Sequence, residues 1–366
     1  MDTIKKGSTI SLLTYLGDQQ GCGHIRVIFP SLILNLTRKR EYKFQSFYTA
    51  FFNNDPLFYK NFTAVQFQRA STPNHLQLLL YYRDNIRKLT RTPLLYEIDD
   101  LLTEIPEYNY AHYYYREQAD IISDILKLVD GIIVSTDKLK EEFSKYNNRI
   151  GVLHNHLPKF LWGDIEPRHL LSTGKPRIMW AGSSNHFPTP KVIKDNNIKE
   201  GDIYPELFDF IKKTTDKYQW VIMGGIPMDL EEEINNGKIE FHGWADSLSY
   251  PRIIKGLKAD IGFAPLVDNT FNRCKSNIKA LEYTALGIPG VYSNVEPYKD
   301  MCLTANNADE MISHIESLAN DVDKRRYTFE KDYDTLKDQL WWEENNNAER
   351  FIECYLNVFN KTMYEI

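Results

Sequence analysis

Residues 271–291 hold the most specific chemical pattern in the chain: Phe-Asn-Arg-Cys-Lys-Ser-Asn-Ile-Lys-Ala-Leu-Glu-Tyr-Thr-Ala-Leu-Gly-Ile-Pro-Gly-Val. A polar loop runs into a helix that carries Lys279 and Glu282, the helix stops at Gly287, and an apolar strand follows. A helix N-terminus offers unpaired N–H groups and partial positive charge, which suit a phosphate. Lys275 and Lys279 add mobile positive charge. Glu282, read as about two turns into the helix, can accept hydrogen bonds from a pair of sugar hydroxyls. Diphosphate plus ribose fits this arrangement, so a nucleotide ligand is expected.

Further chemistry gathers at strand ends. Gly21-Cys22-Gly23-His24 follows the first apolar strand and opens the first helix. Glycines there let backbone approach a ligand closely, and they serve a plain tight turn equally well. Arg26, in the first helical turn, either faces the same cleft or is solvated. Glu97, Asp99 and Asp100 end the fourth strand, and crowded like charges raise one another's pKa. A carboxylate here can take the proton of a hydroxyl or bind a metal; otherwise Asp99 or Asp100 caps the next helix or turn. Two basic clusters, Arg38-Lys39-Arg40 with Lys43 and Arg83, Arg87, Lys88 with Arg91, read as solvated faces or as tracks for a phosphate backbone. Tyr113 and its neighbours Tyr108, Tyr110, Tyr114 and Tyr115 can stack on a base or a sugar ring.

These residues need elements to hold them. Strands are expected at 9–15, 43–49, 63–68, 93–98, 131–135 and 150–153. A second block follows at 177–181, 220–223, 239–241, 260–264, 290–292 and near Cys302. Helices near 24–38, 74–89, 111–128 and 136–145, and between the strands of the second block, complete an α/β alternation typical of parallel sheets. Residues 157–175 carry Pro, Gly and no period, so the junction is placed there. This divides the chain into 1–156, a linker at 157–175, 176–340 and a long amphipathic helix within 341–366. One large doubly wound domain is the alternative.

The 271–291 stretch resembles the donor-binding motif of retaining nucleotide-sugar glycosyltransferases with two Rossmann-like domains facing across a cleft, the GT-B architecture. Their pattern is Glu-x7-Glu followed by Ala-x-Gly-x-Pro-Val-Val. Glu282 matches the second Glu, the ribose ligand, and Ala285, Gly287, Pro289 and Val291 match the tail. Cys274 stands where the first Glu, a contact to the transferred sugar, belongs. Lys275-Ser276-Asn277 replaces a Gly-rich stretch, so a lysine takes over part of the diphosphate binding. The resemblance implies a donor site made of Gly21, Gly23, Arg26, Gly182, Ser183, Lys191, Gly243, Trp244, Cys274, Lys275, Ser276, Asn277, Lys279 and Glu282. Asp99 and Asp100 stand where much of the family has a His that contacts the sugar, and from their strand-end position they are expected to be catalytic, together with His186; acceptor contacts are expected from Arg38, Lys39, Arg40, Arg83, Arg87 and Tyr113. A solvated His186 and a core Trp244 are the plain alternatives. His154-Asn155-His156 resembles the family's Pro-Asn-Gly stretch before the hinge, with a structural job. In the family the last helix crosses back to the first domain.

The Asp-Asp strand end and the Phe-Asn-x-x-Lys-Ser-x-x-Lys-x-x-Glu helix are similar to those of large-bacteriophage glycosyltransferases, some of which modify hydroxymethylated cytosines in DNA. The resemblance implies retaining transfer of a hexosyl or pentosyl group from a nucleotide sugar, a UDP-sugar by first choice. The implied acceptor is 5-hydroxymethylcytosine in double-stranded DNA, with no further cofactor and no metal. A surface-polysaccharide (O-antigen type) glycosyltransferase is the runner-up. A nucleotide-sugar-binding protein without transferase activity stays open because Cys274 replaces a family acid.

Composition agrees with a globular enzyme: 366 residues, 42% hydrophobic and 26% charged, enough chain for two domains. No apolar run approaches the ~18 residues of a membrane span, and the polar start reads as no signal peptide. Cys22, Cys274, Cys302 and Cys354 lack metal-ligand spacing, so a reducing, cytoplasmic setting is expected (the host cytoplasm if phage-encoded). The net charge of −6 argues against a protein that coats nucleic acid and leaves room for a local basic groove.

Overall fold

Two consecutive sets of six strands form two parallel sheets, each wrapped by the helices that connect its strands. The structure, a computed structural model, describes residues 9–36, 43–168, 174–198 and 200–363. The first sheet has β1 (Thr9–Tyr15), β2 (Lys43–Thr49), β3 (Ala64–Gln68), β4 (Leu94–Ile98), β5 (Gly131–Val134) and β6 (Ile150–Val152), in the order β2-β1-β3-β4-β5-β6. The second has β7 (Arg177–Gly182), β8 (Gln219–Gly224), β9 (Glu240–His242), β10 (Ile261–Ala264), β11 (Gly290–Ser293) and β12 (Thr304–Ala305), in the order β12-β11-β10-β7-β8-β9. The central strands β3, β4 and β5 are buried along their whole length. β5 is accordingly apolar throughout, whereas β3 and β4 carry the buried polar side chains Gln66, Gln68 and Glu97.

Both orders reverse direction once, between β1 and β3 and between β7 and β10. A crevice opens outside the carboxyl ends of the strands at such a switch point. The loops after β1, β3, β7 and β10 therefore become the places where chemistry can sit. Among the described residues, no helix is long and apolar enough to cross a membrane.

One face of the first sheet is covered from far away in sequence. Helix Asn347–Met363 packs on β5 and β6. Phe351 and Tyr355 stack with ring centroids 4.8 Å apart and meet Phe44 of β2. The approach is close enough to require glycine: a Cβ on Gly131 would lie 2.4 Å from Val358, and one on Gly151 would lie 2.7 Å from the Cys354 sulfur.

The helix expected from residue 341 starts later. A 19-residue helix, Val322–Leu340, ends before it, and Trp341 bridges to Leu157 as a short parallel pair. Leu157 N donates to Leu340 O, and Trp342 N donates to Leu157 O. Asn345 and Asn346 take positive φ, a conformation Asn tolerates well, and this turns the chain before Asn347. The 157–175 stretch is also more structured than its composition suggests. It holds the short helix Lys159–Trp162, and Trp162 is buried in a core cluster of the second half.

His156 seals this double crossing. Its Nδ1 bonds the Gln339 carbonyl, and its ring lies edge-on to Trp342 at 4.5 Å. Burial pushes its pKa down to about 4. The unfolded chain binds that proton more readily, so the contribution is present above the free-histidine pKa of about 6.5 and is lost as pH falls towards 4. From about pH 7 to about pH 5 the loss assigned to His156 is about 2 kcal/mol. Urea unfolding at both pH values is expected to show a smaller pH dependence in His156→Gln than in the unmodified protein; equal dependence would exclude a buried neutral His156.

Candidate active site

Burying an arginine requires that its charge be met. Arg26 is 3% exposed and sits in a π-type turn, His24–Ile28, that interrupts the first helix. Its Nε donates to Glu97 at 2.7 Å, and its Nη1 donates to the Leu153 carbonyl at 2.5 Å and to Asn155 Oδ1 at 2.8 Å. Asn155 then donates to Ser276 Oγ at 2.8 Å, which ties the first sheet to the loop before the Glu282 helix. Arg26 is therefore not solvated; its Nη2 alone is buried without a hydrogen-bond partner, and the residue borders the cavity.

Arg69, directly after β3, is a second clamp. Its backbone is left-handed (φ 49°), an uncommon state for a non-glycine residue. Its Nε lies 3.0 Å from Asp99, its Nη2 3.1 Å from Asp100 and its Nη1 3.1 Å from the Cys22 sulfur. Burial raises the Asp100 carboxyl, with Asp99 adding to the rise and Lys275 opposing it. Burial acts upward on Asp99 too, but Arg69 and Arg26 outweigh it and hold that carboxyl below its usual range. Burial also raises Glu97 against the pull of Arg26. The environment thus separates two neighbouring carboxylates: Asp99 stays a fixed counter-charge, and Asp100 is the better proton acceptor.

The opposite wall comes from the second sheet. After β7, Ser183 caps the turn Ser184–His186, and His186 bonds Asp202 through Nδ1 at 2.8 Å. After β10, the short helix Thr270–Arg273 delivers Lys275, whose Nζ lies 4.6 Å above the Phe271 ring. Helix Ile278–Ala285 starts next with no side-chain cap, because Asn277 is engaged with Gln339. Glu282 is its fifth residue, little more than one turn from the N-terminus instead of two. Its Oε2 accepts from Tyr250 at 2.9 Å and Lys279 at 2.7 Å.

Between the walls lies a cavity of about 340 Å³. Gly21, Arg26, Asp99, Asp100, Gly182, Ser183, His186, Gly243, Trp244, Lys275, Ser276, Lys279 and Glu282 all line it. Trp244 is 65% exposed, so it is an open aromatic face and not a core residue. Among the described residues, no group of three or more His, Cys, Asp or Glu side chains is placed to hold a metal ion.

Other expected residues lie elsewhere. Cys274 is 2% exposed and belongs to the apolar core of the first half, with its carbonyl bonded by Thr136. It follows the Thr270–Arg273 turn and does not line the cavity. Asn277 points to Gln339, and Gly23 is buried behind the loop. Lys191 is exposed on helix Pro190–Asn196 and does not line the cavity. Arg83 pairs with Asp84 at 2.8 Å, and Arg87 pairs with Asp130 at 2.5 Å. Asp130 precedes β5 and accepts from Leu94 N, which places Arg87 at the amino ends of β4 and β5, opposite the crevice. Tyr113 bonds the Glu107 carbonyl and stays outside the cavity. Arg38, Lys39 and Arg40 lie outside the described residues.

No protein-family model matches the chain, and no curated protein matches its sequence. Solved structures match its fold. The apo form of the lipopolysaccharide outer core galactosyltransferase WaaB aligns with a TM-score of 0.54 at 12% identity, over 95% of this chain and 99% of its own. The N-terminal domain of Candida albicans trehalose-6-phosphate phosphatase gives 0.56 at 11% identity, over 98% of each chain. A mutant Thermobaculum terrenum O-GlcNAc transferase gives 0.52 at 10% identity, over 100% of this chain and 70% of its own. The architecture is GT-B. At these identities the likeness is one of fold, and the activities in those names belong to those proteins.

Sequence reasoning missed Arg69, Tyr250 and Asp202. Arg69 had a usable signal, its place at the end of the third strand. Replacing it should leave Asp99 and Asp100 without their shared counter-charge. Arg69→Met is expected to cost about 2–3 kcal/mol in denaturant unfolding near neutral pH, with much of the loss recovered towards about pH 5 as the freed carboxyls protonate. A loss independent of pH would show that Arg69 acts through packing alone.

Proposed function

We propose that this chain is a glycosyltransferase that moves a hexosyl or pentosyl group from a nucleotide sugar to an acceptor hydroxyl, with retention. The observation that carries the reading is Glu282. It is 5% exposed, with one oxygen fixed by Tyr250 and Lys279, on a cavity wall that faces the Asp99–Asp100 pair. The other Glu282 oxygen accepts the ribose hydroxyls. Lys275, Lys279 and the uncapped start of helix Ile278–Ala285 meet the diphosphate, and Trp244 offers a face to the base. A UDP-sugar is the donor we favour, on the resemblance of the motif.

The acceptor oxygen bonds to the anomeric carbon on the face from which the diphosphate departs, as the sugar–phosphate bond breaks, so the anomeric configuration is kept. The nucleoside diphosphate leaves against Lys275 and Lys279, and the hydroxyl proton passes to Asp100. A duplex-DNA acceptor draws on Arg38, Lys39, Arg40, Arg83 and Arg87; of these Arg83 and Arg87 have carboxylate partners. A saccharide hydroxyl needs no such surface and is the acceptor we propose; the WaaB name adds an analogy of fold only.

A panel of nucleotide sugars, mixed with saccharides or with duplex carrying 5-hydroxymethylcytosine, tests the reading. Saccharide should be glycosylated, and the salt slope of about −0.9 per phosphate contact that DNA binding shows should be absent. Transfer to the duplex with a steep salt slope would install DNA as acceptor, and donor binding with no transfer to either would leave a binding protein. The anomeric coupling of the product reads retention.

Two variants divide the site. Glu282→Ala is expected to lower nucleoside-diphosphate affinity about ten- to a hundredfold in calorimetry. Asp100→Asn should slow turnover about a hundredfold while donor affinity changes less than about threefold. Normal turnover in Asp100→Asn would remove that carboxylate from the chemistry.

A further inference from the structure

Asp202 is 1% exposed and collects donors from both halves. Its Oδ1 lies 2.6 Å from the Tyr108 hydroxyl, 2.6 Å from Asn272 Nδ2 and 3.1 Å from Val267 N. Its Oδ2 lies 2.8 Å from His186 Nδ1. Tyr108 belongs to the loop after β4 of the first sheet; the other three donors belong to the second half. Asn272 also donates to the Tyr108 oxygen at 3.0 Å, so the docked phenol is gripped twice.

His186 lines the cavity with its Nδ1 committed to this carboxylate. Its ring lies edge-on to Trp180 at 6.0 Å. Burial lowers its pKa, Lys275 and Lys279 act in the same direction, and Asp202 opposes them; Asp100 is the acid that faces it across the cavity. A neutral ring that donates a hydrogen bond from Nδ1–H to Asp202 keeps a lone pair on Nε2. A lone pair repels a phosphate oxygen and accepts from an O–H or N–H donor; on a transferred sugar that donor is a hydroxyl.

We propose that Asp202 is a positioning residue that sets His186 to accept a hydrogen bond from a hydroxyl of the transferred sugar, and that it joins this setting to docking of the Tyr108 loop. The proposal rests on the glycosyl-transfer reading for the identity of the hydroxyl. The orientation of the ring can be read without any activity.

Asp202→Asn separates the two oxygens. The amide carbonyl still accepts from Tyr108, Asn272 and Val267, while the amide N–H2 now donates to Nδ1 and drives the proton to Nε2. Nitrogen-15 NMR of labelled histidine, assigned with His186→Gln, should show an Nδ1–H ring in the unmodified protein and an Nε2–H ring in Asp202→Asn. Nucleoside-diphosphate affinity should change less than about threefold, because that ligand lacks the sugar hydroxyl, while kcat falls about tenfold or more. Donors with one sugar hydroxyl removed should lose their handicap in His186→Gln for one hydroxyl position. Tyr108→Phe should keep the Nδ1–H ring and speed amide exchange in the loop after β4.

An Nε2–H ring in the unmodified protein, or a ring unchanged in Asp202→Asn, overturns the proposal whatever the activity. The expected change of ring with no transfer to any acceptor overturns the glycosyl-transfer reading instead.

Discussion

One buried guanidinium sets the terms for much of this molecule. Taking an arginine out of water is costly unless each part of its charge is met. Arg26 obtains its partners from two separate segments: Glu97 at the end of β4, and the stretch after β6 that supplies the Leu153 carbonyl and Asn155. Those segments cannot shift independently without leaving charge unmet. Asn155 passes the constraint on to Ser276, and Gln339 bonds both the Asn155 carbonyl and Asn277. The start of the Glu282 helix is thus located by a side chain of the first half.

The second clamp works by contrast. Arg69 neutralises a pair of acids at a place where water has partial access, and its strained backbone is held by Arg69 N bonding the Glu97 carbonyl. A single arginine shared by two carboxylates cannot satisfy both equally. The residual asymmetry leaves Asp100, the more exposed of the two, as the group able to change protonation.

The fold was legible because alternating apolar strands and helices in two blocks permit few topologies, and the glycine and acid clusters fell at strand ends, where crevices open. The 271–291 motif showed where an anion would sit. Less legible was anything decided by a side chain's direction. Cys274 lies one residue from Lys275, yet a single short helix sends one to the core and the other to the cavity. Charge spacing marked Arg83 and Arg87 as a surface, but their partners Asp84 and Asp130 come from an adjacent position and from another strand's approach. Asp202 sits in irregular chain between helices with no period or motif to mark it, and its partners are 16 to 94 residues away.

The paired crossing at Leu157 and Trp341 has a mechanical meaning. Two chain segments hydrogen-bonded side by side resist sliding and splaying, and they yield most easily to bending about a shared axis. A motion of one half against the other would then be a single swing, with Asn155, Ser276 and Gln339 beside the pivot sweeping the shortest arcs. Phe271 and Cys274, packed in the first-half core, and Tyr108, held by Asp202, set the limit of that swing, so the two walls meet with the same atoms facing one another.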